Sequence, residues 1–101
     1  MIMVGNIKNS APKHRWTYEE DKFCVEKYFE HYVWHTKIGN VINEIQHQYP
    51  HLKEGSVRMK IQNIKYLINE QGNIQDTCPL NPLENASQQN RRAFNEVINR
   101  K

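Results

Sequence analysis

Apolar positions along the chain fall into four stretches, each with its own spacing. Phe23, Cys24, Val25, Tyr28, Phe29, Tyr32 and Val33 recur at intervals of three and four, which predicts an α-helix over about 18–34. Two features mark its start. Thr17 followed by Glu20 is a capping-box pattern, in which each side chain satisfies an amide that the first turn leaves open. Glu19, Glu20 and Asp21 then set negative charge at the positive end of the helix dipole. After a break at 35–40, Val41, Ile42 and Ile45 predict a shorter helix that stops at Tyr49, because the residue before Pro50 is pushed away from helical backbone angles. Ser56 reads as the cap of a third helix, with Val57, Ile61, Ile64 and Ile68 along one face and Gly72 as its stop. Residues 73–85 carry Pro79 and Pro82 among scattered apolar positions and predict an ordered, irregular loop. Ala86 or Ser87 opens a last helix, with Phe94, Val97 and Ile98 inward and Arg91 and Arg92 outward.

The pattern predicts an all-α protein, a small three- to four-helix bundle with a helix-turn-helix-like arrangement. A flexible basic arm at 1–15, without hydrophobic period and carrying Gly5, Pro12, Lys8, Lys13 and Arg15, precedes a single helical domain at 16–101. A chain of 101 residues accommodates one domain. Bulky aromatics compensate for a modest aliphatic content, so a compact core is feasible.

Charge changes the picture. The net charge of +3 and pI near 8.9 permit contact with nucleic acid without demanding it. Its distribution is uneven: residues 16–35 hold five acids against two lysines, whereas the arm and the third helix are net positive. On a helical wheel Arg58, Gln62, Lys65, Tyr66 and Met59 fall on the flank and far side of the third helix, with no acid before Glu70. Those are side chains that a major groove accepts, Arg for guanine edges, Gln for adenine edges and Lys for phosphate. Ser56 and the first amides of that helix suit a phosphate, and the arm suits a minor groove or the backbone. The expected DNA-contacting set is Arg15, Ser56, Arg58, Lys60, Gln62 and Lys65, and the expected partner is double-stranded DNA. Two lysines and an arginine are also ordinary on any solvated helix, so the order of the helices adds weight that the side chains alone lack.

Three segments carry a resemblance. Trp16-Thr17-Tyr18-Glu19-Glu20-Asp21 resembles the opening of Myb/SANT-like three-helix DNA-binding domains. Gly55-Ser56-Val57-Arg58-Met59-Lys60-Ile61-Gln62-Asn63-Ile64, then Leu67 and Gly72, resembles a segment in the helical N-terminal accessory domain of HNH-type modified-DNA restriction endonucleases and related bacterial defence proteins. The stretch Pro82-Leu83-Glu84-Asn85-Ala86-Ser87-Gln88-Gln89 is similar to the one that leads into the last helix of that domain. The resemblance spans most of 16–99, though only 55–64 is specific. It implies a non-catalytic DNA-targeting module of a restriction or defence system, with Ser56, Arg58, Lys60, Gln62 and Asn63 at the matching positions. The chain ends at Lys101 without a nuclease domain, which fits an excised portion or a free-standing relative, and the irregular 73–81 stretch departs from the usual spacing.

No enzyme, metal, cofactor, small-molecule substrate or membrane is expected. His31 and His35 stand four apart, yet Tyr32 occupies the place where catalytic zinc helices carry Glu. The four glycines are scattered, so no phosphate loop forms. Cys24 sits between Phe23 and Val25 in an apolar helix, where thiols are inert. With no leader and only Cys24 and Cys78, a cytoplasmic protein with reduced thiols is expected. Tyr28, Phe29, Tyr32 and Trp34 read as core.

The alternative is a small phage or mobile-element interaction protein that binds and regulates or inhibits a defence enzyme. Such a protein partner would meet an acidic face at Glu19, Glu20, Asp21, Glu26 and Glu30, in partial mimicry of DNA charge.

Overall fold

The computed structural model describes residues 15–34 and 39–100. Most of the expected arm, 1–14, and His35 lie outside them. Helix α1 (Tyr18–Tyr28) opens as its sequence requires: Thr17 Oγ1 accepts from the Glu20 amide at 3.1 Å and Glu20 Oε1 accepts from the Thr17 amide at 3.0 Å. The helix then widens into a π-helical turn, Phe29–Val33, which ends with the Trp34 amide donating to the Phe29 carbonyl. One extra residue in that turn swings Phe29 and His31 inward and leaves Tyr32, Val33 and Trp34 half-buried. Helix α2 (Val41–Gln48) is capped by Asn40, whose Oδ1 accepts from the Ile42 and Asn43 amides at 2.9 and 3.2 Å.

Helix α3 (Glu54–Gln71) corrects the sequence reading at one end and bears it out at the other. It starts two residues before Ser56, and Lys53 takes the cap position without a side-chain bond, so Ser56 lies inside the first turn. Its stop is Gly72, whose φ of +79° is the left-handed conformation that glycine adopts without penalty. Helix α4 (Gln88–Asn99) is capped by Ser87 Oγ, which accepts from the Asn90 amide at 3.0 Å.

The four helices enclose one core, and no strand occurs among the described residues. Helix α1 packs on the other three, while α3 also meets α2 and α4. Val57, Ile61, Ile64 and Ile68 of α3 are buried, as are Cys24, Val25, Tyr28 and Phe29 of α1 and its π-helical turn, Val41 and Ile45 of α2, and Ala93, Phe94 and Val97 of α4. Phe29 packs at 5.7 Å on Phe94 and at 5.0 Å on Trp34, so Tyr28 and Phe29 belong to the core while Tyr32 and Trp34 pack against it half-buried. Both cysteines are buried and free, and burial pushes the Cys24 thiol far above its ordinary range. No helix among the described residues is long and apolar enough to cross a membrane.

The segment between α3 and α4 decides what α3 exposes. It runs back along the flank of α3 and is tied down by hydrogen bonds to both α3 and the end of α1. Tyr28 Oη donates to Asp76 Oδ2 at 2.7 Å, and the Thr77 amide donates to the Tyr32 carbonyl at 3.0 Å. Lys65 Nζ reaches Asp76 Oδ1 and the Cys78 carbonyl, both at 3.0 Å. Further along, the Leu83 amide donates to the Gln62 carbonyl and Asn63 Nδ2 to the Leu83 carbonyl, both at 3.0 Å.

Candidate functional site

Of the six residues nominated from the sequence, Arg15 and Arg58 are exposed, and Ser56 and Gln62 are partly so. Lys60 and Lys65 are not available. Lys60 keeps only 7% of its surface; its Nζ lies 2.6 Å from Asp21 Oδ1 and 4.5 Å from the centre of the Trp16 ring. The cause is geometric. Lys60 sits one turn before Ile64 and two before Leu67, so it points to the edge of the core, where Asp21 is wholly buried. Lys65 points outward on the wheel, but the segment between α3 and α4 brings Asp76 onto it, and the ion pair leaves the lysine side chain 17% exposed. The outward cationic face expected of the third helix therefore reduces to Arg58.

Asp21 organises its surroundings. Its Oδ2 accepts from Gln89 Nε2 at 2.7 Å, and Gln89 also donates to the Trp16 carbonyl at 2.8 Å. The segment before α1 is thereby locked to α3 and α4 through Trp16, Asp21, Lys60 and Gln89.

Beside this knot opens a groove of about 370 Å³. One wall is the start of α3, with Ser56, Met59, Lys60 and Asn63; the other is Asn85 and Ser87; Trp16 also lines it. Asn63 is 6% exposed and spends both amide hydrogens, on the Leu83 carbonyl at 3.0 Å and on Asn85 Oδ1 at 2.9 Å. Asn63 Oδ1 and Asn85 Nδ2 are left without partners among the described residues. Asn85 and Ser87 escaped the sequence reading because nothing in one sequence shows that the Pro-containing segment folds back onto α3.

Charge is distributed around this groove by subtraction. All eleven acids are described, and eight of them, Glu20, Asp21, Glu26, Glu30, Glu44, Glu70, Asp76 and Glu96, are engaged by Lys, Arg or His. Among the described residues the cations outside ion pairs are Arg15, Lys53, Arg58 and Arg92, of which Arg92 lies over the Tyr18 ring. Arg15 adjoins Trp16, Arg58 adjoins Met59, and Lys53 stands three residues before Ser56, so three of the four are sequence neighbours of residues that line the groove. Glu54 and Glu84, the latter adjoining Asn85, are outside the ion pairs of the described residues and partly offset them.

The acidic face expected of α1 is not built. Glu20 and Asp21 are turned inward, with Glu20 Oε2 2.6 Å from His51 Nε2. Glu26 is bound by Arg100 and Glu30 by Lys27, leaving Glu19 as the one acid of that set outside an ion pair among the described residues. A wider hollow of about 570 Å³ between α1 and α2 is open and shallow. Its charged groups are spent: Lys27 on Glu30 and Glu44 at 3.0 and 3.3 Å, and Glu44 on the buried His31 at 3.1 Å. No family model matches the chain, and no curated protein or solved structure shows significant similarity to it.

Proposed function

We propose that this domain is a non-catalytic DNA-binding module that grips the duplex backbone with the N-terminal end of α3 and the segment before α1. The observation that carries the proposal is the gathering of Arg15, Lys53 and Arg58, none of them in an ion pair among the described residues, around the start of α3, while most other described cations are neutralised within the fold. Lys53 caps α3 with no side-chain bond, so the first amides of the helix stay open to a phosphate oxygen. Arg58 and Gln62, one turn apart on the outward face, are the side chains placed to enter a groove. Lys60 and Lys65 belong to the scaffold, so recognition is confined to the first turns of α3. The affiliation with restriction and defence systems is an extension of the same proposal, resting on the 55–64 segment.

Fluorescence anisotropy with a labelled duplex of about 20 base pairs at about 50 and 200 mM salt tests it. The wild type is expected to weaken steeply between the two, and R15A/R58A to bind at least about tenfold more weakly at low salt. Equal affinity of that double variant and the wild type refutes the proposal.

A protein partner remains the second reading, with a changed surface. Met59 and Leu83, 48% and 37% exposed, are the large apolar side chains standing clear of the core, and Leu83 is bonded to α3 one turn beyond Met59. A regulator of a defence enzyme would dock there and not on α1.

A further inference from the structure

We infer that the groove between α3 and residues 85–87 is a nucleobase site, taking a base that has left its stack. The inference rests on the DNA-binding proposal for the strand that delivers the base, but its geometry is separate.

A heteroaromatic base asks for three things: apolar walls for its faces, a hydrogen-bond donor beside an acceptor for its edge, and positive charge for its phosphate. Trp16 and Met59 supply apolar surface. Asn63 and Asn85 supply the edge recognition, and the amide assignment is dictated by their own bonds. Asn63 Nδ2 gives its two hydrogens to two carbonyl-type oxygens, which turns Asn63 Oδ1 into an unused acceptor. Asn85 Oδ1 is one of those oxygens, which leaves Asn85 Nδ2 as an unused donor. Asn63 keeps only 6% of its surface, so a ligand meeting its free oxygen finds a side chain already fixed by two bonds. Every nucleobase presents a donor next to an acceptor on its pairing edge, so the pair fits bases as a class. Ser56 Oγ lines the same cavity, and Ser87 Oγ accepts the Asn90 amide while retaining its own hydrogen to donate. Arg15, Lys53 and Arg58, exposed and close in sequence to the lining residues, are the cations available to the phosphate of the same nucleotide. A volume of about 370 Å³ holds a base with room for its sugar.

Two sources share this chemistry, a base unstacked from a DNA strand and a free nucleotide. Three probes separate them: a fully paired duplex of about 20 base pairs, the same duplex with one unpaired adenosine bulged from the centre, and deoxyadenosine monophosphate. Binding to the duplexes is read by anisotropy. The mononucleotide is titrated into ¹⁵N-labelled protein while the side-chain amide signals of Asn63 and Asn85 are followed. The bulged duplex is expected to bind at least about fivefold more tightly than the paired one. Asn85→Ala, at an exposed position and checked for an unchanged melting curve, is expected to erase that preference while keeping paired-duplex affinity within about twofold. Amide shifts with the mononucleotide and equal duplex affinities would assign the groove to free nucleotide. A preference for the bulge that survives Asn85→Ala overturns the inference, as do equal duplex affinities with silent amide signals. In both cases the DNA-binding proposal stands. Failure to bind either duplex, with amide shifts from the mononucleotide, removes that proposal and keeps the groove; silence from all three probes removes both.

Discussion

Asp21→Ala is expected to cost the domain about 3–5 kcal/mol, because it strands a buried cation. Asp21 is 0% exposed and Lys60 7%, with 2.6 Å between their charged atoms. An ion pair at the surface contributes only about 0.2–1 kcal/mol, since water solvates each partner once the other is gone. Here Lys60 would keep only the Trp16 ring at 4.5 Å, and Gln89 would lose the acceptor 2.7 Å away. For a domain of this size the total stability is about 5–15 kcal/mol, so the loss is a large share of it. Each kcal/mol corresponds to about 4–8 °C in melting temperature, which puts the expected drop above about 12 °C. Urea unfolding followed by circular dichroism measures the change directly. The double variant Asp21→Leu/Lys60→Met, which removes both charges, is expected to recover most of the loss, because an apolar pair suits that site about as well as an ionic one. A cost below about 1 kcal/mol for Asp21→Ala, with no coupling to Lys60, would show that water reaches the pair and refute the reasoning.

The same packing sets the outcome of three other perturbations. Burial first, then the hydrogen bond to Asp76, raises the Tyr28 phenol well above its ordinary range, so its contribution is complete below about pH 10. Above that pH the unfolded chain loses the proton while the native one keeps it, and stability falls by up to about 1.4 kcal/mol per pH unit; Tyr28→Phe is expected to flatten that part of the fall in urea melts between about pH 9 and 11. Lys65→Ala is expected to leave duplex affinity unchanged in anisotropy and to cost about 1–3 kcal/mol in denaturation, since it takes away the donor that Asp76 Oδ1 and the Cys78 carbonyl share. Phe94→Ala empties the position at which α4 meets Phe29, and is expected to cost about 3–5 kcal/mol in the same assay.

Much of the fold is legible in the sequence residue by residue, because local signals and tertiary packing agree. Thr17 and Glu20, Gly72 and Ser87 all sit at helix ends, and the valine and isoleucines of α3 are buried together. The start of α3 departs from its sequence signal because Ser56 is a good cap by type, yet the chain begins the helix at Glu54 with no side chain capping it. The π-helical turn leaves no trace in the pattern, since mixed spacing of three and four fits an α-helix equally well. The site is legible only in part. Arg15 and Arg58 reach the surface and Ser56 and Gln62 do so in part, the last three as their wheel positions require. Lys60 and Lys65 turn out differently for non-local reasons: Asp21 belongs to another helix and Asp76 arrives on an irregular segment. Periodicity cannot foresee a carboxylate delivered by a loop. The orphaned groups of Asn63 and Asn85 likewise emerge only when the 82–87 stretch is laid against α3.

The central claim is that DNA meets the start of α3 and the segment before α1. It is tested most directly by mapping backbone amide shifts of ¹⁵N-labelled protein during titration with a paired duplex at low salt. Shifts concentrated at 15–16 and 53–62, disappearing when salt is raised, are the expected result. Shifts centred on Lys22, Glu96 and Arg100, or none at all, would contradict it.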